Sequence, residues 1–236
     1  MTGLYRFADV NVRIQSLFPQ VHALCAAYAA EGQADINAAV TQADIDFERG
    51  RDEDLDWPDA YLEELAVYRK MAEQLPRFGV FLFHGSAVAV DGAAYLFTAP
   101  SGTGKSTHAR LWREMLGERA VMVNDDKPLI RVRRDGTAIV YGTPWDGKHR
   151  LSRNMAAPLR AICVLSRSPE NRIRRIGKTE ALPTLIQQTY RPFDPEALGE
   201  TLTLIDRLDI PFYRLNCNMD PSAAKLAYAA MKQQEE

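Results

Sequence analysis

Between residues 93 and 116 an apolar run, a glycine-containing loop pattern and a helix pattern follow one another with no other punctuation. The apolar run is Ala93-Ala94-Tyr95-Leu96-Phe97, the loop reads Thr98-Ala99-Pro100-Ser101-Gly102-Thr103-Gly104-Lys105-Ser106-Thr107, and the helix pattern fills 107–116. No other stretch restricts the fold as much, because a strand must feed a tight turn that opens directly into a helix, and that requires an α/β core. Gly102 and Gly104 are free to take positive φ and turn successive N–H groups inward, so that loop and helix N-terminus form a nest for polyphosphate oxygens. Ser101, Gly102, Thr103, Gly104, Lys105, Ser106 and Thr107 are therefore the expected nucleotide-binding residues, with Lys105 as a mobile positive charge and Ser106 as a hydroxyl for Mg²⁺. The core of the motif arises by accident in roughly one chain in a hundred of this length. The first glycine of the usual phosphate-loop pattern is Ala99 here, and Pro100 follows it, which stiffens the loop's entry.

What flanks the loop narrows its class. Two apolar stretches, 80–84 and 86–90, precede Asp91-Gly92, and Asp-Gly between alternating apolar runs is a strong signal for a tight hairpin. The strand entering the loop is thus expected to pair antiparallel with its predecessor, unlike the parallel opening of most phosphate-loop NTPases. Downstream, residues 119–126 form an apolar run that ends in Asn124-Asp125-Asp126, its first aspartate 20 residues after Lys105. Side chains alternate along a strand, so the two carboxylates should point differently, one to a cation held by Ser106 and one to an acceptor hydroxyl.

Together, His84-Gly85-Ser86, the Asp91-Gly92 turn, Ser101-Gly102-Thr103-Gly104-Lys105-Ser106 and Asn124-Asp125-Asp126 resemble the C-terminal kinase domain of HPr kinase/phosphorylase and its relatives in the ATP-dependent phosphoenolpyruvate carboxykinase superfamily. The resemblance covers about residues 80–130. It implies a mixed-sheet phosphate-loop kinase core and an ATP- and Mg²⁺-dependent phosphotransferase acting on a hydroxyl. Lys105 and the loop amides would hold the β- and γ-phosphates, Ser106 and Asp126 the metal; Asp125 would be the base, and His84 would lie at the edge of the site. The stretch 141–154 departs from the family's glycine-and-arginine signature, so the acceptor is expected to be a small molecule or a peptide serine rather than the same phosphocarrier. An HPr-type protein serine kinase/phosphorylase and a non-catalytic ATP-binding regulator are the alternatives. Decarboxylation is not expected.

Residues 143–154 are the next most informative. Thr143-Pro144-Trp145-Asp146-Gly147-Lys148 is a glycine-containing loop between strand patterns at 138–141 and 159–165, crowded with cations. Trp145 is a candidate for stacking, Lys148 and Arg150 for neutralising transferring charge, and Asn154 for hydrogen bonding to substrate. The competing reading is a surface loop whose tryptophan covers the core.

The 236 residues, 46% of them hydrophobic, are enough for one full α/β domain with an appendage. We expect a small α+β N-terminal extension over 1–76 and the kinase-like domain over 77–236. The extension reads as strand-like at 5–14 and 44–48, helical at 20–30, turn-rich at 48–56 and helical again at 59–75. The remainder reads as helices at 179–190 and 195–208, a strand at 212–216 and a closing helix at 221–232. A net charge of −2 gives no general attraction to nucleic acid or anionic membrane, and the basic runs 131–134 and 172–175 read as strands with solvated faces. Three scattered cysteines without paired spacing fit a reduced compartment and no structural zinc. No run is long enough to span a bilayer and no signal pattern opens the chain, so a cytoplasmic protein is expected, with self-association left open.

Overall fold

The computed structural model describes residues 1–51 and 56–232. It is a mixed α/β structure in which a curled mixed sheet is flanked by helices. Of the turn-rich patch expected over 48–56, residues 52–55 lie outside the described residues.

The N-terminal elements form a layer of their own. β1 (Thr2–Phe7) and β2 (Val10–Gln15) make an antiparallel hairpin, and β3 (Ile36–Ala39) pairs parallel with β2. Over these strands pack α1 (Gln20–Leu24), α2 (Gln42–Arg49) and α3 (Asp59–Ala72). Two expectations fail here. Residues 44–48 are helical because Asp44 caps the turn, its carboxylate accepting from the Thr41 backbone N–H at 2.9 Å and hydroxyl at 2.8 Å. The helix expected over 20–30 ends at Leu24, and a short 3₁₀ turn, Ala26–Tyr28, follows it. The apolar cluster of this layer also takes in Val80, Leu82, Leu129 and Tyr141, so it is continuous with the first edge of the large sheet.

That sheet begins with β4 (Val80–Leu82), continues with β5 (Ser86–Val90) and β6 (Ala93–Thr98), and after α4 (Lys105–Leu116) gains β7 (Ala120–Asn124). β8 (Leu129–Val132), β9 (Ala138–Tyr141), β10 (Ala156–Arg167), β11 (Arg172–Ile176) and β12 (Phe212–Cys217) complete it. The order β4-β8-β9-β10-β6-β5-β7 places the long β10 at the bend, its first residues paired antiparallel with β9 and its later ones parallel with β6 and β12. The Asp91-Gly92 hairpin forms as the sequence predicts, with Val90 opposite Ala93 and both turn residues at positive φ, +50° and +83°. β5 is antiparallel to both β6 and β7, so β7 runs the same way as β6. The carboxylates that follow β7 therefore emerge at the sheet edge where the glycine loop follows β6.

Alternation along these strands builds two cores. Val88, Tyr95, Phe97, Cys163 and Leu165 face α4 and α7 (Pro221–Met231), while Ala87, Leu96, Ile162 and Val164 face α5 (Lys178–Gln188) and α6 (Pro195–Arg207). Of the basic runs, Arg131 is not on a solvated face: its guanidinium donates to the carbonyls of Phe78 and Ala8 and ties the N-terminal layer to β8. Among the described residues no helix is long and apolar enough to cross a membrane.

Candidate functional site

The loop 99–104 leaves the C-terminal end of β6 and enters α4 without a cap. Gly102 and Gly104 take φ of +75° and +123°, and a Cβ at either would meet nothing within 4 Å, so backbone conformation rather than crowding requires glycine. The first helical hydrogen bond of α4 is His108 N–H to Gly104 carbonyl at 2.9 Å, which leaves the preceding amides of the first turn without helical acceptors. No acidic residue in that turn balances the helix's positive end. Lys105 is buried, with its ammonium donating to the carbonyls of Ala99 at 3.0 Å and Pro100 at 3.5 Å. Burial lowers its pKa from the usual lysine value, an effect that Asp126 opposes.

Arg167, at the end of β10, steadies the loop from outside. Its guanidinium donates to the carbonyls of Gly102 and, at 3.3 Å, Thr103. In a trans peptide the N–H points opposite to the C=O, so holding the Thr103 carbonyl outward turns the Gly104 N–H the other way.

The two aspartates part as alternation predicts, and each has its own surroundings. Asp125 turns toward β5 and α4: one of its oxygens accepts from the Ser86 hydroxyl at 2.7 Å, and the Ser106 hydroxyl is near enough to favour its charged form. Burial raises its pKa above the ordinary aspartate value, partly offset by these two hydroxyls. Asp126 turns toward His84, whose Nε2 lies 3.4 Å from it, and toward the Lys127 ammonium at 3.5 Å. Ser106 thus lies beside Asp125. The cause is packing: Ser86 sits at the start of the strand between β6 and β7, on the face that α4 covers, and draws Asp125 there.

His84 is positioned by its neighbours. Its Nδ1 lies 2.7 Å from Gln188 Oε1, and its backbone is held by Gln188 and by the Thr98 hydroxyl. Burial, then Lys127 and Lys105, lower its pKa, which favours the neutral ring. With Nδ1–H given to Gln188, the neutral ring has only a lone pair on the Nε2 that faces Asp126, so it can receive a proton from the carboxyl but cannot hydrogen-bond to the carboxylate.

Asn124 organises what surrounds it. Its amide donates to the Thr143 carbonyl and hydroxyl and to the Trp145 carbonyl, while its oxygen accepts from the backbone of Asp126 at 2.9 Å and Lys127 at 2.6 Å. One buried side chain therefore joins the carboxylate turn to the 143–150 loop. Asp146 closes the same junction, accepting from the backbone of Asp125, Gly147 and Ser152.

Two cavities of about 620 Å³ each flank this centre. One lies at the ends of the parallel strands β6, β10 and β12, against Gly102, Thr107, His108, Arg167 and Met219. The other opens at Asp126 and Lys127 and is walled by Tyr61 and Tyr68 of α3 and by Trp145, Lys148 and Arg150.

No protein-family model matches the chain, and no curated protein matches its sequence. Among solved structures, the HPr(Ser) kinase/phosphatase from Coxiella burnetii aligns with 64% of this chain and 99% of its own, at 10% identity and a TM-score of 0.34. That is a weak likeness of fold, so the chemistry has to come from the residues themselves.

The structure separates the candidates of the 143–154 loop. Lys148 and Arg150 border the second cavity with Asp126. Trp145 is only 8% exposed, its ring packed 5.4 Å from that of Phe7 and 5.2 Å from that of Tyr68, and it has no open face on which a ligand could stack. Asn154 donates to the Ala27 carbonyl at 2.7 Å and borders a different cleft, beside Asp9 and Tyr28. Ser86 and Asn124 enter the sequence reading only as members of the motifs that carry the resemblance, without a site role of their own, and Arg167 and Gln188 not at all. Their partners are remote in the chain, and only the Asn124-Asp125-Asp126 triplet offered a local hint.

Proposed function

We propose that this chain is an ATP- and Mg²⁺-dependent kinase that transfers the γ-phosphoryl group to a hydroxyl. The observation that carries the reading is the convergence at one sheet edge of a positive-φ glycine loop, a buried lysine at a helix N-terminus and two carboxylates with separate surroundings. A buried ammonium bonded to its own loop carbonyls, facing free amides, is an environment that an anion improves. The cavity beside Gly102 and Thr107 gives the donor's nucleoside a place at the ends of the parallel strands, where ligands of open α/β sheets bind.

Neighbours assign the roles. Ser106 and Asp125 offer adjacent hard oxygens suited to Mg²⁺, with phosphate oxygens and water completing the shell. When bound there, the cation would neutralise charge on the phosphates. Lys105 and the loop amides hold the β- and γ-phosphate oxygens. Asp126, bordering the second cavity, receives the acceptor's proton, which reverses the division expected from sequence. In the step, the acceptor oxygen bonds to the γ-phosphorus as the bond to the β,γ-bridging oxygen breaks. ADP leaves with that electron pair, and the hydroxyl proton passes to Asp126. His84, with Nε2 3.4 Å from Asp126, can take that proton on from the carboxyl.

The test is ADP release from Mg-ATP across a panel of hydroxyl compounds, run on the wild type, Asp126→Asn and Lys105→Met. Acceptor-dependent release that both variants lose supports the reading. Tight ATP binding with no acceptor dependence across the panel would make the chain a nucleotide-binding regulator instead.

A further inference from the structure

The second cavity carries two buried polar atoms without hydrogen-bond partners among the described residues, the Tyr68 hydroxyl and Trp145 Nε1. Their residues are only 9% and 8% exposed, and buried polar groups are rarely left unpaired in folded proteins. The two rings touch, so both atoms belong to one wall. At the rim, Lys148 and Arg150 are exposed, and neither makes an ion pair among the described residues. The acidic side chains nearby are largely committed: Asp146 accepts from three backbone amides, and Asp126 faces His84 and Lys127. Glu64 also lines the cavity, where burial raises its pKa and Arg150 opposes the rise. What remains for an anion is Lys148, the part of the Arg150 charge that Glu64 does not balance, and the two orphaned donors.

We propose that this cavity binds the phosphoryl acceptor and that the acceptor is a small hydroxylated anion, a hydroxycarboxylate or a phosphorylated polyol. This rests on the kinase reading and names its substrate class. Lys148 and Arg150 take the anionic group, the reacting hydroxyl lies at Asp126, and the Tyr68 hydroxyl and Trp145 Nε1, closed off from solvent in the free protein, donate to the ligand's oxygens once the wall shifts to admit it. A volume of about 620 Å³ falls in the range of small-molecule sites. The aromatic wall comes from α3, so the N-terminal layer supplies part of the acceptor's recognition.

Glycerate, gluconate and glycerol 3-phosphate would be compared with glycerol, glucose and a serine peptide, by calorimetric binding without nucleotide and by ADP release with Mg-ATP. The variants are Lys148→Gln/Arg150→Gln, both exposed and safe for folding, and Tyr68→Phe, which removes only the hydroxyl. The expected result is binding and turnover confined to anions. The double variant should raise KM for the acceptor at least tenfold and leave KM for ATP unchanged, and Tyr68→Phe should raise KM for the acceptor severalfold. Preference for glycerol, glucose or the peptide, or an acceptor KM untouched by the double variant, overturns the proposal, as does an absence of binding by every anion. If an anion binds and the double variant abolishes that binding while no compound is phosphorylated, the cavity's ligand class stands and the kinase reading falls.

Discussion

The Ser86 hydroxyl donates to the Asp125 carboxylate across 2.7 Å in a buried setting, on the strand that separates β6 from β7. Asp125 is kept there against a desolvation cost, which is why its pKa is raised. A carboxyl whose folded pKa exceeds its unfolded value binds more protons when folded, so this group's contribution to stability falls as pH rises through that interval. Asp125→Asn keeps an acceptor for Ser86 and removes the buried charge. We expect it to abolish turnover yet raise the melting temperature at pH 7, and the gain should shrink at pH 4, where wild-type Asp125 is closer to neutral. A lower melting temperature at pH 7 would mean that the charge itself holds the loop together.

Lys105 is the second buried charge of this centre. Its ammonium bonds only loop carbonyls, within reach of Asp125 and Asp126 electrostatically. Lys105→Met should fold at least as stably, since it removes a desolvated charge, but lose roughly 10²–10³ in kcat/KM, the range for one electrostatic stabiliser of a transition state. Denaturant midpoints measured beside ADP release separate the two effects.

Much of the centre was legible because it is local. Asp91-Gly92 dictates its own turn, Gly102 and Gly104 their own positive φ, and alternation sends Asp125 and Asp126 apart. What was not legible depends on neighbours distant in the chain. Asp125 meets Ser86 because β5 lies between β6 and β7, a pairing order that no local pattern carries. Trp145 lies in a loop that reads as solvent-facing, yet Phe7 and Tyr68 from the N-terminal layer enclose it. Residues 44–48 alternate Ile45 and Phe47 as a strand would, and the Thr41–Asp44 cap outweighs that alternation.

Arg167 supplies a test of loop support from outside the phosphate site. It donates to the carbonyls of Gly102 and Thr103 from the end of β10 and is itself exposed. Arg167→Ala should leave global stability within about 0.5 kcal/mol. It should raise KM for ATP roughly fivefold, as expected for losing about 1 kcal/mol of partly solvated charge-assisted hydrogen bonding. Nucleotide titrations of the two proteins decide it, and equal affinities would show that the loop holds its shape without Arg167.

His108 provides the clearest pH dependence in the molecule. It is buried in α4 between Phe97 and Trp112, its Nε2 accepts from Trp112 Nε1 at 3.1 Å, and burial lowers its pKa to about 4. A histidine depressed below its unfolded value near 6.5 leaves the folded state with fewer bound protons. Its penalty is absent above pH 6.5 and grows as pH falls toward 4, reaching about 3 kcal/mol from a shift of this size. The urea midpoint should therefore drop between pH 7 and pH 4.5 in the wild type. His108→Gln has no ionisable ring and keeps an oxygen for Trp112, so it should lose stability at pH 7 but show a shallower decline on acidification. Parallel declines in both proteins would place the acid sensitivity elsewhere, with half-buried His84, whose pKa burial also lowers, the next group to test.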